Sequence, residues 1–199
     1  MILYATKQTI ERLRLPLYDG RQTSKNPFSN EIYTVQNGDP LVEWGMKLFY
    51  FNRKKCIQVM NFSSKFALLI YDLRVEDAHS IPIIVAQYLI ELYRDDLRML
   101  TALRQYFIDY SPHIFMGLTN RSIISSLNRN QSDFAWDGQI FYDYIQDGVL
   151  QTIEINHRLN FGWFTSQKIN GKTDYVLPGE RFRTLILERY DNQQPQGYA

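Results

Sequence analysis

The sequence predicts an α+β fold: a mainly antiparallel sheet with a central three-strand meander, covered by helices. Three observations carry this. Glu43 to Phe51, Cys56 to Phe62 and Phe66 to Leu73 are apolar, β-prone runs separated by the polar breaks Asn52-Arg53-Lys54 and Ser63-Ser64, as consecutive hairpins require. Residues 80–109 then carry apolar side chains at helical spacing. The composition, 199 residues with 45% hydrophobic and 22% charged, is that of an ordinary globular chain able to bury a core without staples.

Taken in order, Ile2 to Ala5 reads as a strand and Thr6 as the cap of a helix that Pro16 stops. Residues 19–39, polar and holding Gly20, Pro27, Asn30 and Gly38, read as a long loop. In the meander, alternation puts Met46, Leu48 and Tyr50 on one face, with Ile57 and Val59, then Phe66, Leu68 and Ile70, so that one side of the sheet is buried. Ser80, by its hydroxyl, and Pro82 open a helix with the stripe Ile84, Tyr88 and Leu92. It breaks near Asp95 and Asp96 and resumes through Leu97, Leu100, Leu103 and Phe107. His113 to Leu118 is strand-like, and Asn120 caps a helix over 120–129. Ile153, Ile155, His157 and Leu159 alternate with polar residues, which predicts a half-buried strand; Phe182 to Leu187 predicts another. Residues 1–190 are expected to form a single α+β domain, and 191–199 a flexible tail.

The net charge of +1 provides no global field toward nucleic acid, although residues 1–72 carry +4 and the rest −3. Cys56 is the only cysteine, which excludes an internal disulfide and agrees with a reducing cytosol. No apolar stretch reaches the roughly 20 residues of a bilayer span. The expectation is a soluble cytoplasmic protein of bacterial or viral type, with no membrane association.

Asp39-Pro40-Leu41-Val42-Glu43-Trp44, Asn52-Arg53-Lys54-Lys55, Asn61-Phe62-Ser63-Ser64, Asn120-Arg121-Ser122 through Leu127-Asn128, and Ile153-Glu154-Ile155-Asn156 with Leu159-Asn160 together resemble an uncharacterised family of small bacterial proteins. The resemblance runs from near Met1 to Asn160. It implies a shared fold and a shared polar constellation, and brings no activity with it.

Asn61, Arg121, Ser122 and Asn128 form the first candidate binding set, since an arginine and amides at element ends can grip a carboxylate, phosphate or peptide backbone. Helix capping is the competing role for Ser122 and Asn128. Trp136 and His157 join the set, Trp136 as an aromatic contact for a protein partner or a second copy, and His157 because it occupies an apolar phase of its expected strand. Arg53, Lys54 and Lys55, with Lys47, Lys65 and the aromatics 49–51, offer an alternative surface for nucleic acid. A solvated hairpin tip is the plainer account.

Asp133 with Asp137 and Asp143 with Asp147 carry four-residue spacing but no metal-loop pattern, and Cys56, which a histidine could activate as a nucleophile, sits at the start of a core strand where a small apolar residue is normal. Phosphate-loop, dinucleotide, nucleophile-elbow and His-Glu-x-x-His motifs do not occur, so no catalytic residue, metal or cofactor is assigned. The function expected is a non-enzymatic binding or regulatory protein with an aromatic and polar surface. The alternatives are a hydrolase or nuclease drawing on Arg121, Asn128, His157 and Asp133, and a nucleic-acid binder using the basic hairpin.

Overall fold

A five-stranded sheet of order β4-β3-β2-β1-β5 organises the computed structural model, which describes residues 1–18, 29–110, 112–135, 139–169 and 171–190. β1 (Ile2–Ala5) runs parallel to both neighbours, β2 (Glu43–Phe51) and β5 (Ile114–Gly117). β2, β3 (Lys54–Asn61) and β4 (Ala67–Ile70) form the antiparallel meander that the sequence predicts. The fold is α+β, with a mixed central sheet. Asn52 and Arg53, at φ 47° and 63°, turn β2 into β3 through two left-handed residues, the geometry that suits the twist of a two-residue hairpin.

β1 leads into α1 (Lys7–Leu13). The Thr6 hydroxyl accepts the Thr9 amide at its start, and left-handed Arg14 closes it by donating its N–H to the Ile10 carbonyl. Where β1 ends, the Thr9 hydroxyl accepts the next β2 amide on that side, that of Leu48, at 2.8 Å. α2 (Ser29–Gln36) buries Ile32 against Ile2 and Ile114. The stretch read as a loop over 19–39 therefore contains a helix, while residues 19–28 lie outside the described residues.

Both faces of the sheet are buried, not one. Leu3, Trp44, Met46, Leu48, Ile57, Val59, Leu68 and Ile70 pack on α1, α3 (Ile81–Leu92), α4 (Leu97–Tyr110) and α8 (Pro178–Tyr190). At the centre of this layer the Trp44 indole N–H donates to Tyr106 Oη, which donates to the Leu41 carbonyl, each at 3.1 Å. On the other face Met60 and Ala67 meet Ile123 and Leu127 of α5 (Arg121–Ala135). Phe49, Cys56 and Leu69 meet Phe141 of α6 (Gln139–Asp143), Leu150, and Ile155 of α7 (Thr152–His157). α5 can lie this close because β2 has Gly45 beneath it: a Cβ there would stand 2.4 Å from Ile123 Cγ2.

Several expectations need correction. The deeply buried stripe of α3 is Ile81, Val85 and Leu89, with Ile84, Tyr88 and Leu92 only partly covered beside it. That of α4 is Met99, Ala102, Leu103 and Tyr106, and Leu97 is exposed. Ser80 stands at the cap position of α3 without a side-chain hydrogen bond. α5 runs to Ala135, past the expected end at 129. Phe182 to Leu187 belongs to α8, not to a strand. Residues 152–157 are also helical and continue into a π turn over 158–162. The remaining strands form two small hairpins, β6 (Ile145–Gln146) with β7 (Val149–Leu150), and β8 (Thr165–Ile169) with β9 (Lys172–Val176). The expected tail at 191–199 falls outside the described residues.

α7 and its π turn seal the outer edge of β4. The Leu69 amide donates to Asn156 Oδ1 at 2.6 Å, and Asn156 Nδ2 donates back to the Leu69 carbonyl at 3.1 Å. Two residues earlier, the Ala67 amide donates to Asn160 Oδ1 at 2.8 Å and Asn160 Nδ2 returns to the Ala67 carbonyl at 2.7 Å. Both asparagines are fully buried. A carboxamide offers the same donor and acceptor as a peptide group, so the pair serves as a substitute strand.

Replacing Asn160 by Leu leaves the Ala67 amide and carbonyl facing apolar surface, and urea denaturation is expected to show a loss of about 2–5 kcal/mol. At the start of α4, Asp96 accepts the Met99 amide at 2.9 Å and Arg183 Nε of α8 at 2.6 Å. Asp96→Ala is expected to cost about 1–2 kcal/mol in the same assay, and Asp96→Asn less, because asparagine also caps.

Candidate functional site

Two lysines meet α5 on the Gly45 side of the sheet. Lys47 rises from β2 two residues past Gly45 and donates to Asn128 Oδ1 at 2.8 Å and to Gln131 Oε1. Lys65 stands in the β3–β4 turn and donates to Ser122 Oγ at 3.4 Å. Both are partly buried, and every oxygen that receives them is neutral. Burial lowers both ammonium pKa values, that of Lys65 to about 8. Neither forms an ion pair among the described residues. Ser122 and Asn128 are six helical positions apart, so the two anchor points are separated by about 9 Å along α5 and by about 120° around it.

The floor beside Lys47 is also polar. Gln58, directly across the ladder from it, is 4% exposed, and its Oε1 has no hydrogen-bond partner. It borders a cavity of about 10 Å³ with Phe49, Gln131, Phe141 and Ile155, a space on the scale of one water.

Of the residues singled out from sequence, Ser122 and Asn128 are brought to this flank as the oxygens that hold Lys65 and Lys47. Asn61 supports the same region from inside the protein. Its Nδ2 donates to the Leu41 carbonyl at 2.8 Å, and its Oδ1 accepts the Ser63 and Ser64 hydroxyls at 2.8 and 3.0 Å. Its carbonyl receives the Lys65 amide at 3.1 Å, so Asn61 shapes the turn that presents Lys65. Arg121 is exposed in the first turn of α5, which Asn120 caps through the Ile123 amide at 3.1 Å. His157 is exposed on α7 and packs against Phe161, with ring centres 5.0 Å apart; the buried strand position expected for it does not exist. Trp136 lies outside the described residues, as does Asp137.

Gln58 and Gln131 are not among the residues that the sequence singles out, and Lys47 and Lys65 figure there only as neighbours of the basic hairpin. One signal was legible: Lys47 is a lone cation in the apolar run Trp44 to Phe51.

The basic hairpin divides. Lys54 pairs with Asp72 at 2.7 Å, and this partner raises its pKa; Arg53 stands at the exposed tip, and Lys55 lies across the ladder from Tyr50. Cys56 is fully buried, and burial pushes its thiol up to about 12, far from a reactive thiolate. Among the described residues, no group of three or more His, Cys, Asp or Glu side chains is placed to hold a metal, and no helix is long and apolar enough to cross a membrane.

By fold and site, the chain is an α+β protein with a five-stranded mixed sheet and a lysine-bearing flank under α5. It belongs to the family DUF6933, a domain of unknown function, which matches residues 2–181. The match extends past Asn160 into α8. A comparison with curated proteins finds no match.

The Lys65 shift has a measurable sign. Its folded pKa, about 8, lies below the ordinary 10.5, so between these values the unfolded chain binds more protons and the lysine's contribution to stability rises with pH. Lys65→Met is expected to be more stable than the parent below pH 8, with the difference in urea midpoint shrinking from pH 8 to 10.5.

Proposed function

We propose that the protein is a non-enzymatic binding protein that seats an acidic peptide segment of a partner along α5. One observation carries the reading: among the described residues, Lys47 and Lys65 are partly buried cations held by neutral oxygens alone. Desolvating an ammonium is costly, and a fold normally offsets the cost with a nearby carboxylate. Here Asn128, Gln131 and Ser122 fix the positions of the charges without neutralising them, which leaves an incoming carboxylate as the natural counter-ion.

The two anchors lie about 9 Å apart along α5 and about 120° apart around it, so a segment that meets both lysines crosses the helix obliquely. Arg121 adds an exposed third cation at the N-terminal end of the row.

Fluorescence anisotropy with a labelled octaglutamate peptide tests this at low and high salt. Lys47→Met and Lys65→Met are each expected to weaken binding about tenfold, as loss of one charge-assisted hydrogen bond implies. Lys47→Arg and Lys65→Arg are expected to retain most of the affinity, with urea midpoints confirming that every variant is folded. Equal binding by the parent and the folded double Met variant, or no binding by the parent, overturns the proposal.

A further inference from the structure

On the opposite face of the sheet, a cleft of about 570 Å³ opens between the end of α1, the β2–β3 hairpin and the segment after β4. Glu11, Arg12, Arg14, Tyr50, Lys55 and Glu76 line it. The local backbone explains why these groups converge. α1 stops at Leu13 because Arg14 takes the left-handed conformation, φ 55° and ψ 44°, which places Arg14 beside the hairpin. Tyr50 and Lys55 are ladder partners in β2 and β3 and therefore share a face. Tyr50 belongs to the phase of Met46 and Leu48, yet its ring remains 49% exposed at this opening.

The cations of the cleft are not tied down by ion pairs among the described residues. Among the described residues, the side chains of Arg12, Arg14 and Lys55 make no ion pair, whereas Lys54 in the same hairpin is tied to Asp72. Glu11 has Lys7 at 3.9 Å as its partner, outside the lining. The cleft thus combines three available cations, one accessible aromatic ring and two carboxylates, in a volume within the range of small-ligand sites.

We infer that this cleft binds a nucleotide, with the phosphate on Arg12, Arg14 and Lys55, the base against Tyr50, and Glu11 or Glu76 accepting from the base amino group or the sugar hydroxyls. Two guanidiniums and an ammonium around one opening suit the multiple oxygens of a phosphate, and every base offers a face for tyrosine to stack on. Two sources share this chemistry, a free nucleotide and a nucleotide unit of a single strand. The inference is independent of the α5 reading, since Lys47 and Gln58 lie on the other face.

Isothermal titration calorimetry of the full chain with adenosine monophosphate, adenosine, inorganic phosphate and a twelve-residue oligothymidylate tests it. Adenosine monophosphate is expected to bind at least tenfold tighter than adenosine or inorganic phosphate. Arg14→Gly removes the guanidinium while favouring the left-handed backbone and is expected to weaken binding about tenfold. Tyr50→Leu is expected to weaken it about fivefold, and Lys47→Met to leave it unchanged. Tighter binding of the mononucleotide assigns the site to a free nucleotide, and tighter binding of the oligonucleotide assigns it to a single strand; either result supports the inference. It is overturned if neither binds, if inorganic phosphate matches the mononucleotide, or if Arg14→Gly and Tyr50→Leu, shown folded by their urea midpoints, bind as the parent does.

Discussion

The outer edge of β4 must be satisfied without another strand, and the paired carboxamides of Asn156 and Asn160 meet that requirement. Alternate residues of a strand repeat at about 6.7 Å, and residues four apart on a helix advance by about 6 Å. Two asparagines at that helical interval can therefore address Leu69 and Ala67 in turn. The match fixes where α7 sits, and with it the second core in which Ile155 and Leu159 cover Phe49, Cys56 and Leu69. Asn160 Nδ2 also donates to the Asn156 carbonyl at 2.7 Å, so the two caps are joined through the helix that carries them.

The same economy governs the other polar motifs. Asn61 organises the β3–β4 turn, Asn120 caps α5, and Asp39 holds Arg189 of α8 through two hydrogen bonds of 2.6 and 3.0 Å. Much of the polar constellation that the family resemblance implied is thus committed to architecture. Among the described residues, five cations make no ion pair at these two places: Lys47 and Lys65 on one face of the sheet, Arg12, Arg14 and Lys55 on the other. Asp39, Asp72 and Asp96 draw Arg189, Lys54 and Arg183 into the frame, and these five cations stand outside that set.

The meander was legible because its runs are long, β-branched and aromatic, and punctuated by polar turns. The 152–162 segment reads as a strand because Asn156 and Asn160 look like solvent-facing residues of an alternating pattern. Their burial turns the pattern into Ile155, Asn156, Leu159 and Asn160, which is helical. In α8 the apolar run around Phe182 conceals the spacing Phe182, Ile186 and Tyr190, visible only over the whole helix. α2 was hidden because Ile32 is its one buried large aliphatic side chain in an otherwise polar stretch. Of the site, Ser122 and Asn128 stand out as binding residues and Lys47 and Lys65 only as neighbours of the basic hairpin, so their pairing is not legible in the sequence. That pairing spans 57 residues in one case and 81 in the other, and only the packing of α5 over Gly45 brings it about.

The placement of Cys56 makes the chain its own stopwatch. The one thiol in the sequence lies fully covered between β2, β4 and the α7 layer, at the heart of the second core. An alkylating reagent can reach it only when that layer lifts away. The pace of modification in an unmodified sample therefore records how often the sheet uncovers itself, with no engineered label and no competing sulfhydryl to confuse the trace.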